Sequence, residues 1–426
     1  MIENGRLNID QAWDLYRNGD FHTLGRMAHD VRLKKHSQSL KKHSLSLENL
    51  SRPVVTYIVD RNINYSNVCV CGCRFCAFFR PPGHSESFVL SRKELSEKIE
   101  ETLRLGGTQV LLQGGLHPDL PLSFYEEMLS FIKSNYPIHI HAFSPPEIVF
   151  FSRLEGIGTA EVISRLRLAG LDSIPGGGAE ILVDSVRQRV SPRKCSSAEW
   201  LAVMEEAHSQ GLRTTATMMF GHEEAPQDRL LHLFALRDLQ DRTAGFTAFI
   251  PWAFQPQNTA IPREPETAVS YLRLLAISRL VLDNFDNIQV SWVTMGPKVA
   301  QLALFFGAND FGSTMIEENV VAGPGCIFGF RPKRSKGSSN PPVSSRGGAQ
   351  WLTSCYERAF AKPKTPRDPP GRMGRAGFGP ALAQWRRIDP RGPGSRSGTV
   401  CRCTQGLTCG RPVDRSRPSR ALPGAG

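Results

Sequence analysis

Between residues 53 and 300 the apolar positions switch repeatedly between a three-to-four-residue spacing and short unbroken runs. The first rhythm is that of one helix face, and the second suits a strand buried on both sides. Residues 54–59, β-branched and aromatic, read as the first strand. Ser91-Arg-Lys-Glu94 is a capping box that opens a helix with Leu95, Ile99 and Leu103 on one face, stopped at Gly106-Gly107. Strands follow at 109–112, 138–143, 171–174, 213–219, 245–250 and 288–293, with a weak eighth near Ala308-Asn-Asp310. The intervening helices are predicted from a Ser123 cap, over 159–168, from the Ser196-Ser-Ala-Glu199 box to Gly211, and over about 226–241 and 267–283. This alternation predicts parallel strands with crossover helices, and the count favours an α/β fold of the (β/α)8 TIM-barrel kind over an open doubly wound sheet.

Both flanks depart from that rhythm. Residues 7–33 are helical in pattern, whereas 34–52 are polar and nearly repeat Lys-Lys-His-Ser, which predicts an exposed insertion with His36 and His43 solvated. Past about 330, Pro, Gly, Ser and Arg dominate and disorder is expected. The predicted organisation is a helical lead-in with its insertion over 1–52, a barrel over 53–322 and a basic tail over 323–426. Charge follows the same division. The net +12 of the 426 residues is a property of the tail, because 331–426 hold 20 Lys and Arg against 4 Asp and Glu, leaving −4 for residues 1–330. A nucleic-acid partner for the folded part is therefore not expected. No apolar run is long enough to span a bilayer and no secretory signal pattern opens the chain, so a cytoplasmic protein without a membrane span is expected. Ten cysteines in a reducing compartment suggest metal or redox chemistry more than disulfides. Cys401, Cys403 and Cys409 lack a fourth ligand for a zinc knuckle and read as incidental.

A barrel of this kind gathers its chemistry at the C-terminal strand ends, and the polar and glycine-rich clusters fall there. The first strand leads into Cys69-Val-Cys-Gly-Cys-Arg-Phe-Cys76, in which Cys69, Cys73 and Cys76 are spaced Cys-x3-Cys-x2-Cys. Three thiolates on one loop leave one iron of a 4Fe–4S cubane open, and S-adenosylmethionine can chelate it. Half of a zinc site and a thioredoxin-like pair remain open on spacing alone. Gln113-Gly114-Gly115 follows the second strand, where bare backbone can approach a ligand or simply turn. His141, Glu180 at the end of a three-glycine run, and His222 are further candidates. Each also has a plain structural reading: a satisfied histidine, or a charge at a helix start.

With these residues in view, the chain resembles the radical S-adenosylmethionine enzymes of the futalosine route to menaquinone, and among them the dehypoxanthine futalosine cyclases. The resemblance covers roughly residues 7–322. It rests on Asp60-Arg-Asn-Ile-Asn-Tyr-Ser-Asn67, the run from Cys73 to His84, Gln113-Gly-Gly-Leu-His-Pro-Asp-Leu120, the run from His139 to Glu147, Asp172 to Leu182, Thr217 to His222, and Gly307 to Asn319. Ser144-Pro-Pro-Glu147, Ile174-Pro-Gly-Gly-Gly-Ala-Glu180 and Phe249-Ile-Pro-Trp252 favour the cyclases over aminofutalosine synthase and the deazaflavin-forming synthases. The resemblance implies a 5′-deoxyadenosyl radical that takes hydrogen from C4′ of the ribose of dehypoxanthine futalosine. Attack of the carbon radical on the benzoate ring follows, then loss of an electron and a proton. It further implies Cys69, Cys73 and Cys76 as cluster ligands, and Gln113, Gly114, Gly115, Phe75 and Glu180 around S-adenosylmethionine. Glu180 and His141 are the implied catalytic candidates, and the electron donor is a flavodoxin or ferredoxin. Aminofutalosine synthase is the second enzyme reading, and a zinc-stabilised nucleic-acid-binding module the non-enzyme one.

Three features depart from the family pattern. Cys71 stands where another residue is expected, 34–52 looks inserted, and after Asn319-Val-Val the text turns to Gly323-Pro-Gly-Cys-Ile-Phe in place of an alanine-rich turn and a helix. Translation out of frame from about residue 323 would explain the tail's composition.

Overall fold

The computed structural model describes residues 6–42, 55–317 and 319, and the side chains of 36–42 are outside that description. The strands are β1 (Thr56–Ile58), β2 (Asp60–Asn64), β3 (Gln109–Gln113), β4 (His139–Ala142), β5 (Ser173–Ile174), β6 (Arg213–Phe220), β7 (Phe246–Ala253), β8 (Asn287–Ile288) and β9 (Asp310–Ser313). From β2 to β8 they form a seven-stranded parallel sheet in chain order. The helices are α1 (Ile9–Asn18), α2 (Phe21–Lys42), α3 (Arg92–Arg104), α4 (Leu122–Asn135), α5 (Pro145–Glu155) and α6 (Thr159–Ala169). They continue with α7 (Asp184–Val190), α8 (Ser197–Ser209), α9 (Pro226–Thr243), α10 (Ala268–Val281) and α11 (Trp292–Ala303).

The eighth position is filled by β9 and its flanks. On one side Asn309 N–H donates to Ile288 C=O (3.1 Å) and Val290 N–H to Asp310 C=O (2.9 Å). On the other, β9 pairs in parallel with β1, and Thr314, Ile316 and Asn62 carry the ladder on to Ile58, Asp60 and Glu317. The last strand therefore lies between β8 and the β1–β2 run, and the curl of the sheet closes as the predicted barrel. Strand alternation sorts the side chains: Val110, Leu112, Ile140, Ala142 and Ile174 are fully buried among the helices' apolar residues. Gln109, Leu111, Gln113, His139, His141 and Ser173 take the opposite face, toward the barrel interior. The helix starts follow local chemistry, with reciprocal capping boxes at Asn8/Gln11, Ser91/Glu94, Ser144/Glu147 and Ser196/Glu199.

Five expectations change. The predicted strand 288–293 is only Asn287–Ile288, and the apolar residues after it belong to α11, which breaks at Gly296 (φ 80°) before Pro297. Trp292 and Val293 look β-like, but the indole N–H reaches Ser313 C=O (2.9 Å), which turns the segment inward as a helix start. The second helix begins at Leu122, not from a Ser123 cap, because Glu155 accepts the Leu122 N–H (2.7 Å). The first strand is split, β1 ending at Ile58 and β2 taking Asp60–Asn64 into the main sheet, and β9 lies two residues beyond the expected start. Part of the predicted exposed insertion, through Lys42, continues α2. The remainder of that insertion and the tail, with Cys401, Cys403 and Cys409, lie outside the described residues. The lead-in helices dock on the barrel: Arg273 donates to the carbonyls of Tyr16 (3.2 Å) and Gly19 (2.8 Å), and Arg229 to the Tyr16 hydroxyl (2.9 Å). Among the described residues no helix is long and apolar enough to cross a membrane.

Candidate radical site

The cysteine loop leaves β2 and is strapped across the barrel mouth to several later strand ends. Cys69 N–H donates to Arg80 C=O (2.9 Å), Val70 N–H to Leu116 C=O (3.0 Å) and Arg74 N–H to Val190 C=O (2.9 Å). Ala260 N–H donates to Arg74 C=O (2.8 Å), and the Arg193 guanidinium binds Cys71 C=O (3.0 Å). Gly72 turns the loop at φ 61°, and a Cβ there would stand 2.3 Å from the Arg193 guanidinium. Cys69, Cys73 and Cys76 are free thiols within one cluster with Val70, Cys71, Phe75, Leu116 and Phe150. Among the described residues no three His, Cys, Asp or Glu side chains converge closely enough to hold one metal ion. Thiols that share one loop without converging on a point suit a cubane, which offers each a separate iron, better than a tetrahedral zinc. Cys71 sits with its Sγ 3.4 Å from that of Cys73. The hydrogen bond from Cys71, against the cost of burial and with help from Lys194, holds the Cys73 thiol below its ordinary value.

Beside the loop Glu180 belongs to a buried charge group whose other members, Lys194 and Arg187, the sequence pattern did not reveal. Glu180 adopts φ 39°, a left-handed conformation uncommon for a non-glycine residue, at the end of the turn after β5. Its Oε1 accepts from Lys194 Nζ (2.8 Å). Its Oε2 lies 3.5 Å from the Arg187 guanidinium but accepts no hydrogen bond among the described residues. Lys194 Nζ also stands 5.0 Å over the Phe75 ring, so Phe75 and Glu180 are joined through it. Arg187 is spent on the carbonyls of Gly178, Ala179 and Cys195 and so shapes the turn. Only the burial of Lys194 and Arg187 marks them, and burial is invisible in a basic stretch such as Arg187 to Lys194.

Gln113, Gly114 and Gly115 close the other flank. A Cβ on Gly114 would stand 2.3 Å from the Tyr65 ring, and one on Gly115 2.0 Å from Val68 C=O and 2.8 Å from Cys69 Cβ. The bare backbone here is thus required by the cysteine loop itself. The Gln113 amide comes within 2.7 Å of where a Gly177 Cβ would be. Glu147 ties these ends together: it accepts from Tyr65 OH (2.5 Å), Gly114 N–H (3.2 Å), Ser144 N–H (2.7 Å) and Ser144 Oγ (2.6 Å). Read in sequence only as the end of the Ser144-Pro-Pro-Glu147 motif, it braces the ends of β2, β3 and β4. His141 lies deeper, its Nδ1 2.7 Å from Ser173 Oγ, and burial pushes its imidazole down to about 3. His222 is structural: its Nε2 binds Met219 C=O (3.0 Å) and its Nδ1 accepts the Glu223 N–H (2.7 Å).

Residues 63–235 match the radical SAM superfamily, and residues 243–339 match the CofH/MqnC C-terminal region. The chain is 44% identical over 326 residues to the cyclic dehypoxanthine futalosine synthase of Halalkalibacterium halodurans, covering 76% of this chain and 84% of that protein. For the synthase of the same name from Streptomyces coelicolor the identity is 42% over 324 residues, 75% of this chain and 78% of the relative. A 5-amino-6-(D-ribitylamino)uracil–L-tyrosine 4-hydroxyphenyl transferase from Methanosarcina barkeri is 44% identical over 275 residues, 62% of this chain and 72% of the relative. In three dimensions the hydrogenase maturase HydG of Carboxydothermus hydrogenoformans superposes with a TM-score of 0.59 at 17% identity, covering 84% of this chain and 76% of that one, a likeness of fold. The chain therefore belongs to the radical SAM superfamily and, within it, to the family of the cyclic dehypoxanthine futalosine synthases and their CofH relatives. The cofactors of that superfamily, a 4Fe–4S cluster and S-adenosylmethionine, suit the three-thiol loop.

Proposed function

We propose that this chain cyclises dehypoxanthine futalosine in menaquinone biosynthesis. The observation that carries the reading is the 44% identity to a synthase of that name across 84% of its length, a span that includes a three-thiol loop strapped over a barrel mouth. Cys69, Cys73 and Cys76 would hold the cluster, which with S-adenosylmethionine supplies a 5′-deoxyadenosyl radical able to take hydrogen from the ribose C4′. The protein's own task is then placement and exclusion of water. Gln113 and the backbone at Gly114 and Gly115, packed against the cysteine loop, would form one side of the cofactor site, and Phe75 beneath Lys194 the other. Glu180 Oε2, buried and without a hydrogen-bond donor among the described residues, suits a ribose hydroxyl. Lys194 holds the other oxygen and fixes its direction. A flavodoxin or ferredoxin in the cytoplasm would deliver the electron, and residues 53–322 would form the catalytic unit.

The test is anaerobic reconstitution with iron and sulfide, then reaction with dehypoxanthine futalosine, S-adenosylmethionine and a reductant. Wild-type protein should release 5′-deoxyadenosine and cyclised product together. Replacing Cys69, Cys73 or Cys76 by alanine should abolish both, whereas Cys71→Ala should retain the cluster's absorbance. The transferase from Methanosarcina barkeri motivates a parallel incubation with 5-amino-6-(D-ribitylamino)uracil and tyrosine. Product there and none from dehypoxanthine futalosine would replace the proposed reading.

A further inference from the structure

Ser173 Oγ on β5 lies 2.7 Å from His141 Nδ1 and 2.7 Å from His139 Nε2. A hydroxyl has one proton, so it donates to one imidazole and accepts from the other. The three groups thus form a polarised chain whose sense reverses when a proton passes through it. Its inner end is the imidazole of buried His141, whose Nδ1 faces Ser173 and leaves Nε2 as the ring nitrogen outside that bond. Its outer end is His139, at the start of β4 on the barrel floor, 44% exposed and 3.8 Å from Asp172 Oδ2. Asp172 is itself held by Lys133 (2.5 Å) and the Ile140 N–H (2.7 Å). Radical chemistry requires a dry mouth, so a proton released inside needs an exit that does not admit water.

We propose that His141, Ser173 and His139 are the proton exit of the reaction, leading from the barrel interior to solvent at the floor. The proposal rests on the cyclase reading. Once the C4′ radical has formed a bond to the benzoate ring, restoring aromaticity breaks one ring C–H bond. One electron leaves to a one-electron carrier of the iron–sulfur or flavin class, and the proton goes to His141 Nε2. His141 then releases its Nδ1 proton to Ser173 Oγ, Ser173 passes its own to His139 Nε2, and His139 gives up its Nδ1 proton to water or Asp172. Burial disfavours charge on His141, so the proton moves on and does not rest there.

The experiment measures 5′-deoxyadenosine and cyclised product in one anaerobic single turnover. Hydrogen abstraction precedes the relay, so Ser173→Ala should leave 5′-deoxyadenosine formation intact while product per 5′-deoxyadenosine falls by at least about tenfold. Ser173→Thr, which keeps the hydroxyl, should restore that ratio. His139→Asn, at an exposed position that does not threaten folding, should uncouple in the same way and be rescued by added imidazole. A structural defect alone would lower both products together. Unchanged coupling in Ser173→Ala and His139→Asn overturns the relay alone. Wild-type protein that makes 5′-deoxyadenosine but no cyclised product overturns the cyclase reading, and the relay with it.

Discussion

Glu147 concentrates more of the site's geometry than any residue of the cysteine loop. Burial pushes its carboxyl pKa up, while Ser144, Tyr65 and the Gly114 amide pull it down by donating to it. Four donors converge on two oxygens, so no oxygen can be exchanged for an amide without setting N–H against N–H. Glu147→Gln should therefore cost about 1–3 kcal/mol, the usual penalty for stranding buried donors. The Gly114 turn should shift with it, lowering 5′-deoxyadenosine yield more than the loss of folded protein accounts for. Thermal melting alongside single-turnover yield checks both, and a variant that melts with the wild type would refute the brace. Glu147 is legible in sequence as the Glu of Ser144-Pro-Pro-Glu147, but the capping role it also fills hides the Tyr65 and Gly114 bonds, which come from 82 and 33 residues away.

At the scale of elements, β9 is the least regular strand and the one on which closure depends. Its Asp310 is half-buried, and the partial loss of solvent raises its carboxyl to about 6 despite the Gly312 N–H bonded to it. In the unfolded chain that carboxyl ionises near 3.8, so between roughly pH 4 and 6 the unfolded state binds fewer protons and stability falls as pH rises. Above pH 6 the penalty is complete, at most about 3 kcal/mol. Asp310→Asn should accordingly raise the melting temperature at pH 8 and make no difference below pH 4. An equal melting temperature at pH 8 would count against the burial of an ionised group here. The strand was faint in sequence because Gly307 and Gly312 break its apolar run, and its ladder is divided between two partners. By contrast, α3 and α8 were read at their starts because their capping boxes lie in four consecutive residues. The strand predicted at 288–293 went astray because burial there comes from a helix packed against α10 and β7, which no local pattern encodes.

For the whole molecule, the parallel order and the cluster loop were legible because both are written in short spacings. What joins them was not: Lys194, Arg187 and the paired histidines around Ser173 meet only when distant strand ends come together. The barrel should then be separable from the tail. A chain ending at 339, where the CofH/MqnC region match stops, should load iron and melt like the full protein. One ending at 308, without β9, should do neither, losing the Glu317 bonds to Lys98 (2.6 Å) as well as the ladder. Iron content and thermal melts of the two truncations decide this.

The straps across the cysteine loop also set an order of events during biogenesis. Cys69 to Cys76 leave the ribosome early, but their positions are fixed by contacts from Leu116, Val190, Arg193 and Ala260, which emerge up to 184 residues after Cys76. The nascent chain therefore carries its thiols unorganised for most of synthesis, and iron delivery falls to the end of maturation, when the later loops have arrived to receive it.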